Sequence, residues 1–398
     1  MRALRHRDFR ILWLGALFSF IGSWIQNVAQ AWLVYELTHD EAKLAFVAFC
    51  GSAPVAFIGP AAGTLADMFD KRKVLIICQC VFAGNALFLA AATHFGFVRY
   101  EYILVCALIL GVAGSIEMPT RQSVVSRVVP QEDLPSAVPL QAMTFNLARV
   151  IGPSIGGILL ASVGPKLCYL VNGLSYSFLI GAAIAIRTNL KAVAQEASGM
   201  KELILEGIRF TLRDERLRTL FIMESIVSTF GLFYLALMAA IADKILKVDE
   251  RGLGFALTVI GVGAIIGLLG VANKGNSRTR GWIVRIAMVV MGLALIALAL
   301  APNRIFAFVA LGFLGMASIL QFNTTNTLFQ LISPERLRGR VIAMHVWALS
   351  GLGPFGTLFF GWLARQTSIP LALMIGGSVV LAGAIWGFSR KSAFEDLP

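Results

Sequence analysis

Residues 282–301 read WIVRIAMVVMGLALIALALA, a run with one charged side chain, Arg285. A helix needs about 20 mostly apolar residues to cross the hydrocarbon core of a bilayer. The sequence contains twelve such runs, and polar breaks, many with Pro, Gly or charge, separate them. Because only helices and closed barrels satisfy their backbone in lipid, and these runs have helical length, we predict an all-α membrane protein. The twelve predicted spans are residues 9–35, 43–66, 74–93, 102–124, 138–162, 167–186, 217–242, 252–272, 282–301, 304–330, 341–364 and 369–388.

The composition agrees with this prediction. Of 398 residues, 58% are hydrophobic and 14% are charged, whereas soluble domains carry about 25% charged residues. The net charge of +12 would suggest nucleic acid in a soluble chain. Here 25 of the 34 Lys and Arg residues fall on the side that holds both termini, and eight fall on the other side. The positive-inside rule therefore predicts a multi-pass protein of the cytoplasmic (inner) membrane with both termini in the cytoplasm, and no nucleic-acid partner.

One long polar stretch, residues 188–216, divides the spans into two sets of six. We predict an N-terminal six-helix bundle at residues 1–187 and a C-terminal bundle at residues 217–398. Within the linker, apolar residues alternate with charges from Lys201 to Arg218, which indicates an amphipathic helix on the cytoplasmic face. Residues 188–200 are equally consistent with a plain tether.

The two halves repeat each other. The stretch TRQSVVSRVVP at residues 120–130 aligns with TTNTLFQLISP at residues 324–334, 204 positions later. Gly152-Pro153 aligns with Gly353-Pro354, 201 positions later. Internal duplication of a six-span unit is typical of secondary transporters, whose binding sites lie near the midplane between the repeats.

The second span ends in GTLAD at residues 63–67, followed by DKRK at residues 70–73. This stretch resembles the loop signature of the major facilitator superfamily, G-x-L-A-D-x-x-G-R-K/R, with Asp70 in place of the second glycine. The variant resembles the branch of enterobactin exporters and macrolide efflux proteins. The resemblance covers the whole chain and implies two six-helix bundles that rock about a central site. It also implies a latch on the cytoplasmic side, formed by Gly63, Asp67, Lys71 and Arg72. The alternative is a helix-end charge that only marks topology.

The fifth span carries a glycine–proline motif that resembles the one of drug-exporting branches. Glycines let helices approach closely, and proline bends a span, so close packing is a compatible reading. The motif favours export. Its residues are Gly152, Pro153, Gly156 and Gly157.

Charged residues inside the spans are candidate functional groups, because each costs at least about 2.5–3.5 kcal/mol to insert. Glu117 and Arg121 are one helical turn apart, so they could form a local ion pair, or Glu117 could line the cavity. Glu224 has no cation one turn away on its helix, and a carboxylate in low dielectric tends to hold a proton near neutral pH. The alternative is that Glu224 lies at a hydrated helix end. Arg149 either organises the glycine–proline motif or meets a carboxylate, and the alternative is that it binds substrate. We therefore predict proton coupling through Glu117 and Glu224.

Polar residues also concentrate in spans 1 and 10. The superfamily resemblance implies that spans 1, 4, 7 and 10 surround the central cavity, and hydrogen bonds between helices are the alternative. The predicted cavity residues are Trp24, Gln26, Asn27, Gln30, Tyr234, Gln321, Asn323, Asn326 and Gln330.

These patterns predict a monomeric secondary transporter that exports an amphipathic organic compound, such as a siderophore or a drug, in exchange for protons. We expect no cofactor, no metal and no enzymatic activity, since no P-loop or nucleophile–base set is present. The G-x-G-x-x-G pattern at residues 351–356 falls inside a predicted spanning helix, which excludes a dinucleotide site. An uptake carrier or lipid flippase of the same fold is the nearer alternative, and a non-transporting membrane sensor is the more distant one.

Overall fold

The fold was analysed in a computed structural model that describes residues 2–191, 200–271, 277–334 and 337–390. Within these ranges the side chains of residues 59–68, 142, 200–204, 271, 277–279 and 338 are not described. The described residues form helices and no strand. Twelve helical stretches among them are long and apolar enough to cross a membrane. This confirms the predicted all-α membrane fold.

The first six spans are single helices. They are α1 (Arg7–Thr38), α2 (Glu41–Met68), α3 (Lys71–His94), α4 (Tyr100–Val128), α5 (Leu134–Val163) and α6 (Pro165–Ala185). The linker helix α7 (Met200–Arg213) precedes the second half. That half consists of α8 (Glu215–Ile226), α9 (Met238–Ile241), α10 (Glu250–Val271), α11 (Ser277–Ala299), α12 (Arg304–Ile332), α13 (Arg338–Ser350), α14 (Gly353–Gln366) and α15 (Ile369–Ser389).

Side-chain caps fix where several helices begin. Asp70 accepts hydrogen bonds from the N–H groups of Arg72 and Lys73 at the start of α3. Asp214 caps α8 in the same way, and it ends the amphipathic helix at Arg213 instead of Arg218. Burial alone would raise the pKa of Asp214, but hydrogen bonds from the Arg216 side chain and from backbone N–H groups outweigh it and lower the pKa. A charged cap at a helix N-terminus is stabilising.

Two spans of the second half are interrupted. After α8 the chain widens into a π-turn over Val227–Gly231 before it reaches α9. The eleventh span breaks between α13 and α14, where Pro354 lacks the N–H group that a continuous helix needs. The Ser228 hydroxyl donates to the Leu349 carbonyl at 2.5 Å and so joins the two irregular regions. Residues 351–356 lie within this eleventh span, as predicted, and the helix is interrupted there. The stretch that precedes them, α13, is a helix and not a strand.

Contacts divide the chain into two units. Unit 1 comprises residues 1–39, 50–196 and 248–258, and unit 2 comprises residues 40–49, 197–247 and 259–398. In unit 1, α1 packs against α5 and α6, and α3 packs against α4 and α6. In unit 2, α11 packs against α12 and α15, and α13 packs against α7 and α12. The first nine residues of α2, together with Asp40 before it, belong to unit 2.

Small residues allow close helix crossings in both units. In unit 1, a Cβ atom at Gly111 of α4 would lie 2.7 Å from the carbonyl oxygen of Gly51 on α2. In unit 2, a Cβ atom at Gly263 of α10 would collide with the carbonyl oxygen of Gly312 on α12. In lipid the hydrophobic effect does not drive helices together. Their association therefore depends on close van der Waals packing of this kind.

We expect Gly263→Ala to destabilise the protein by about 1–3 kcal/mol, because the added methyl group must push α10 away from α12. The matched control is Gly270→Ala on the same helix, where an added Cβ would meet nothing within 4 Å. The measurement is the apparent melting temperature in detergent, read from the folded peak in size-exclusion chromatography. Equal melting temperatures for the two variants would contradict the proposed tight crossing.

Candidate functional site

The charged pair of the fourth span lies in the interior of unit 1. Arg121 Nε donates to Glu117 Oε1 at 2.9 Å, and both side chains are about nine-tenths buried. The guanidinium carbon of Arg121 also lies 4.7 Å from the ring centroid of Phe20 on α1. A cation–π contact and an ion pair together balance the Arg121 charge. The geometry is that of a local ion pair.

A cavity of about 200 Å³ adjoins this pair. Glu117 is part of its wall, so the ion pair and the cavity, which were alternatives at the sequence level, occur together. Gln79 Nε2 lies 3.5 Å from Glu117 Oε1, at the long limit of a hydrogen bond. The lining comes from α1, α3, α4 and α6, and it consists of Ala16, Ser19, Phe20, Ser23, Gln79, Phe82, Leu110, Glu117, Tyr176 and Leu179.

The polar residues of α1 do not share one environment. Gln26 is buried, and its Oε1 accepts a hydrogen bond from Asn172 Nδ2 of α6 at 2.7 Å. Asn27 is exposed, and Gln30 is half-buried. Trp24 is half-buried beside Phe145, at 6.0 Å between ring centroids. Gln26 thus joins two helices within unit 1, whereas Asn27 and Gln30 are accessible.

The glycine–proline motif packs on two sides within unit 1. Cβ atoms at Gly152 and Gly156 would contact Trp24 and Ile25 of α1. On the other side, a Cβ at Gly157 would lie 2.7 Å from the Cα of Gly254, at the start of α10. Pro153 stays within a continuous α5. Arg149, one turn before the motif, is half-buried and has an interaction partner.

A second buried carboxylate lies in unit 2. Glu224 of α8 is 0% exposed. Its Oε2 lies 3.5 Å from Gln321 Nε2 of α12, and Gln321 Nε2 lies 3.4 Å from the Thr325 hydroxyl. No Lys, Arg or His among the described residues forms an ion pair with Glu224, and Oε1 has no hydrogen-bond donor there. A buried carboxylate in this setting favours its neutral form, because an unpaired buried charge is costly.

The internal repeat relates these two clusters. The offset of 204 residues that aligns Thr120 with Thr324 also aligns Glu117 with Gln321 and Arg121 with Thr325. The ion pair of unit 1 is therefore a neutral amide–hydroxyl pair in unit 2. The carboxylate of unit 2 is supplied instead by Glu224 on α8.

The other predicted residues of spans 7 and 10 are distributed differently. Tyr234 is fully buried in the core of unit 2. Gln330 Nε2 donates to Asn326 Oδ1 at 2.6 Å, near the end of α12. Asn323 lines a cavity of about 210 Å³ together with Arg280 of α11. Of the predicted residues, the structure therefore brings Glu224 and Gln321 together in unit 2. Thr325, which the sequence did not single out, joins them.

The predicted cytoplasmic latch is described in part. The side chains of Gly63 and Asp67 lie outside the described residues. Arg72 Nη2 donates to the Ile186 carbonyl at 2.5 Å. The backbone N–H of Lys71, a fully buried residue, donates to the Leu190 carbonyl at 3.1 Å. Both residues therefore tie the start of α3 to the chain that follows α6.

Two ion pairs that the sequence analysis did not single out hold the start of α2 in unit 2. Asp40 Oδ2 accepts from Arg365 of α14 at 3.0 Å, and Glu41 pairs with Lys244. Both carboxylates are more than nine-tenths buried. At the sequence level, Lys244 and Arg365 were only counted among the basic residues of the predicted extracytoplasmic side. The two adjacent acidic residues at the start of span 2 were the sequence feature that could have indicated these ion pairs.

Among the described residues, no group of three or more His, Cys, Asp or Glu side chains could hold a metal ion. His345 of α13 is fully buried, 5.2 Å from the Phe322 ring and 5.4 Å from the Phe329 ring between centroids. Neither of its ring nitrogens has a hydrogen-bond partner among the described residues. The position of His345 at the start of the eleventh predicted span favours a surface histidine, and that prediction is wrong because the ring packs between aromatic side chains.

Twelve spans in the described residues, an internal repeat and buried charges in both units are typical of a transporter of the major facilitator type. The family described as "Transmembrane secretion effector" matches residues 1–395, and the chain belongs to this major facilitator family. The sequence-level resemblance to the superfamily is thereby confirmed.

Curated relatives match over nearly the full length. The chain is 24% identical to the staphyloferrin A transporter of Staphylococcus aureus, with 94% of each chain covered. It is 26% identical to the multidrug efflux pump Tap of Mycolicibacterium fortuitum, with 97% of each covered. It is also 26% identical to the enterobactin exporter EntS of Shigella flexneri, with 96% of this chain and 91% of the relative covered. These relatives support a multi-pass membrane transporter of the efflux type.

Solved structures share the fold. A POT family transporter aligns with a TM-score of 0.80 at 10% identity, covering 98% of this chain and 97% of the other. The nucleoside transporter NupG aligns with a TM-score of 0.74 at 15% identity, covering 98% and 99%. At these identities the likeness concerns the fold alone.

We expect Glu117→Gln to destabilise the protein by about 3–5 kcal/mol, because it leaves Arg121 buried without its counter-charge. The double variant Glu117→Gln/Arg121→Met should recover most of that loss, since no lone charge remains. The melting temperature in detergent measures both effects. The control, Glu101→Gln at an exposed position of α4, should change stability by less than about 0.5 kcal/mol. A double variant as unstable as Glu117→Gln would contradict the ion-pair interpretation.

Proposed function

We propose that this protein exports an amphipathic organic compound, siderophore-like or drug-like, from the cytoplasm in exchange for protons, by alternating access. It does so as a monomer in the inner membrane, with both termini in the cytoplasm and the proton gradient as its energy source. The names of the relatives support the substrate class, since two of them are siderophore transporters and one is a multidrug pump. The glycine–proline motif supports the direction of export.

The buried carboxylate Glu224 is the observation that carries the proposal. A charge in the interior of unit 2, with no cation paired to it in the described part of the chain, is stable only when neutralised. A proton reaches Glu224 from the extracytoplasmic side. It leaves when the carboxylate becomes accessible to water on the cytoplasmic side. Gln321 holds the side chain in position at 3.5 Å.

Glu117, the buried carboxylate of unit 1, has a different role from Glu224. Glu117 is already neutralised by Arg121, so it does not need a proton while the pair is closed. When substrate or a change of conformation separates the pair, Glu117 becomes available to a proton and Arg121 to an anionic group of the substrate. Siderophores often carry carboxylate or catecholate oxygens, which a guanidinium group binds well.

The first experiment is a pH-gradient assay in proteoliposomes, with catecholate chelators, macrolides and cationic dyes as substrates. Wild-type protein should release protons from the lumen when substrate is added. Glu224→Gln should abolish proton release, since the amide cannot titrate. The exposed Glu36→Gln is the matched control and should behave as wild type. Substrate-coupled proton release that persists in both Glu224→Gln and Glu117→Gln would refute the coupling assignment.

The ion pairs of Asp40 and Glu41 fit an alternating-access cycle in which the start of α2 is held and released. Glu41→Gln removes one carboxylate from the buried pair with Lys244. We expect amide hydrogen exchange in residues 40–49 to become several-fold faster, because local opening costs less free energy. Glu36→Gln, which lies before α2 and outside these pairs, should leave that exchange unchanged. An unchanged rate in Glu41→Gln would show that the pair does not restrain the segment.

Uptake and lipid flipping are the nearer alternatives, and sidedness separates them from export. Accumulation of substrate in energised right-side-out vesicles would favour uptake, and loss of substrate would favour export. A sensor without transport predicts that the accessibility of the two faces does not change with ligand.

A further inference from the structure

A cavity of about 450 Å³ opens at one end of unit 2, and Glu224 is not part of its lining. It lies where the chain after α9, the end of α11 and the starts of α12 and α15 come together. Its lining consists of Lys244, Ile245, Leu246, Lys247, Ala299, Ala301, Pro302, Asn303, Arg304 and Pro370. The charge distribution along the sequence predicts that this end is extracytoplasmic.

The cavity is basic. Lys244, Lys247 and Arg304 contribute cations, and no Asp or Glu occurs among the lining residues that the structure describes. Lys244 is paired with Glu41, whereas Lys247 and Arg304 form no ion pair with a described residue. Both of these side chains are exposed. Two cations that face one cavity without a counter-charge there attract an anion.

Helix ends add no net positive charge to this cavity. The α12 helix begins at Arg304, and Asn303 caps it by accepting a hydrogen bond from the N–H of Phe306 at 2.9 Å. The α15 helix begins at Ile369, where Ser368 accepts from the N–H of Leu371 and Pro370 has no N–H. Two C-terminal ends, that of α11 at Ala299 and that of the helical turn Ala242–Leu246, oppose these two N-terminal ends. The attraction for an anion therefore comes from the side chains of Lys247 and Arg304.

The apolar surroundings indicate where the anion comes from. Leu300 and Ile305, next to lining residues in the chain, are 62% and 73% exposed, and Phe306 is 45% exposed. In a membrane, exposed side chains of this kind contact acyl chains. A basic pocket between transmembrane helices with an apolar border suits the phosphate group of a lipid, whose chains lie along the helices.

We propose that this cavity binds a phosphate group, supplied by the headgroup of an anionic phospholipid such as phosphatidylglycerol. Lys247 and Arg304 bind the phosphate oxygens, and the exposed side chains at residues 300, 305 and 306 contact the acyl chains. The site is separate from the proposed transport function, which neither requires it nor accounts for it. Because Lys244 also lines the cavity, a bound phosphate competes with Glu41 for that ammonium group.

Native mass spectrometry of the purified full-length protein in neutral detergent tests the proposal. Phosphatidylglycerol, phosphatidylcholine and inorganic phosphate are titrated separately. The variant Lys247→Gln/Arg304→Gln should bind phosphatidylglycerol about thirtyfold more weakly than wild type, at about 1 kcal/mol for each charge removed. The matched control is Arg99→Gln/Lys166→Gln, which removes two exposed cations from the same predicted side but outside the cavity. The control should bind phosphatidylglycerol as wild type does.

A charge-preserving variant, Lys247→Arg/Arg304→Lys, guards against a folding defect and should keep binding within about threefold. Competition by millimolar inorganic phosphate would support the phosphate site with free phosphate as a second source. Resistance to that competition would support the lipid headgroup alone. Equal binding of phosphatidylglycerol by the glutamine variant and by its control would overturn the proposal, and so would equal binding of phosphatidylcholine and phosphatidylglycerol by wild type.

Discussion

A charge inside an apolar helical bundle must be neutralised, and much of this structure follows from that constraint. Unit 1 neutralises Glu117 with an arginine one turn away on the same helix and an aromatic ring beneath it. Unit 2 buries Glu224 with an amide and a hydroxyl nearby and no paired cation in the described residues. The start of α2 keeps two buried carboxylates, each with its own cation. These are different solutions to one electrostatic cost.

The two duplicated halves meet that constraint in different ways. The repeat conserves the helical framework: Gly111 corresponds to Gly315 at the offset of 204, and both sit at close helix crossings. It does not conserve charge, because Gln321 and Thr325 stand where Glu117 and Arg121 would be. One half therefore holds its carboxylate as an ion pair and the other as a lone acid. The different roles proposed above for the two carboxylates rest on this asymmetry.

Packing imposes a second constraint, which acts through the smallest residues. Helices in lipid associate by van der Waals contact, so glycines sit where backbones nearly touch, as at Gly157 with Gly254 and at Gly263 with Gly312. Where a proline removes a hydrogen-bond donor, the span divides, as between α13 and α14. These irregular regions lie beside the Glu224 helix, whose own π-turn follows within one turn of the carboxylate. The same half thus combines a lone buried acid with interrupted helices.

The sequence by itself determined the number of spans, the linker helix and the membership of the superfamily. A spanning helix is specified by the length and hydrophobicity of one continuous segment, and the repeats and motifs are visible in the order of the residues. It also located Glu117, Arg121 and Glu224 as charges inside spans. Only the tertiary structure decided what neutralises each of them, since Phe20, Gln79 and Gln321 come from other helices. It likewise moved Gln26 from a predicted cavity wall to a contact with Asn172, and His345 from a predicted surface to an aromatic core. The ion pairs of Asp40 and Glu41 join residues more than 200 positions apart in the chain. The basic cavity joins segments more than 50 positions apart. No local sequence pattern specifies such neighbours.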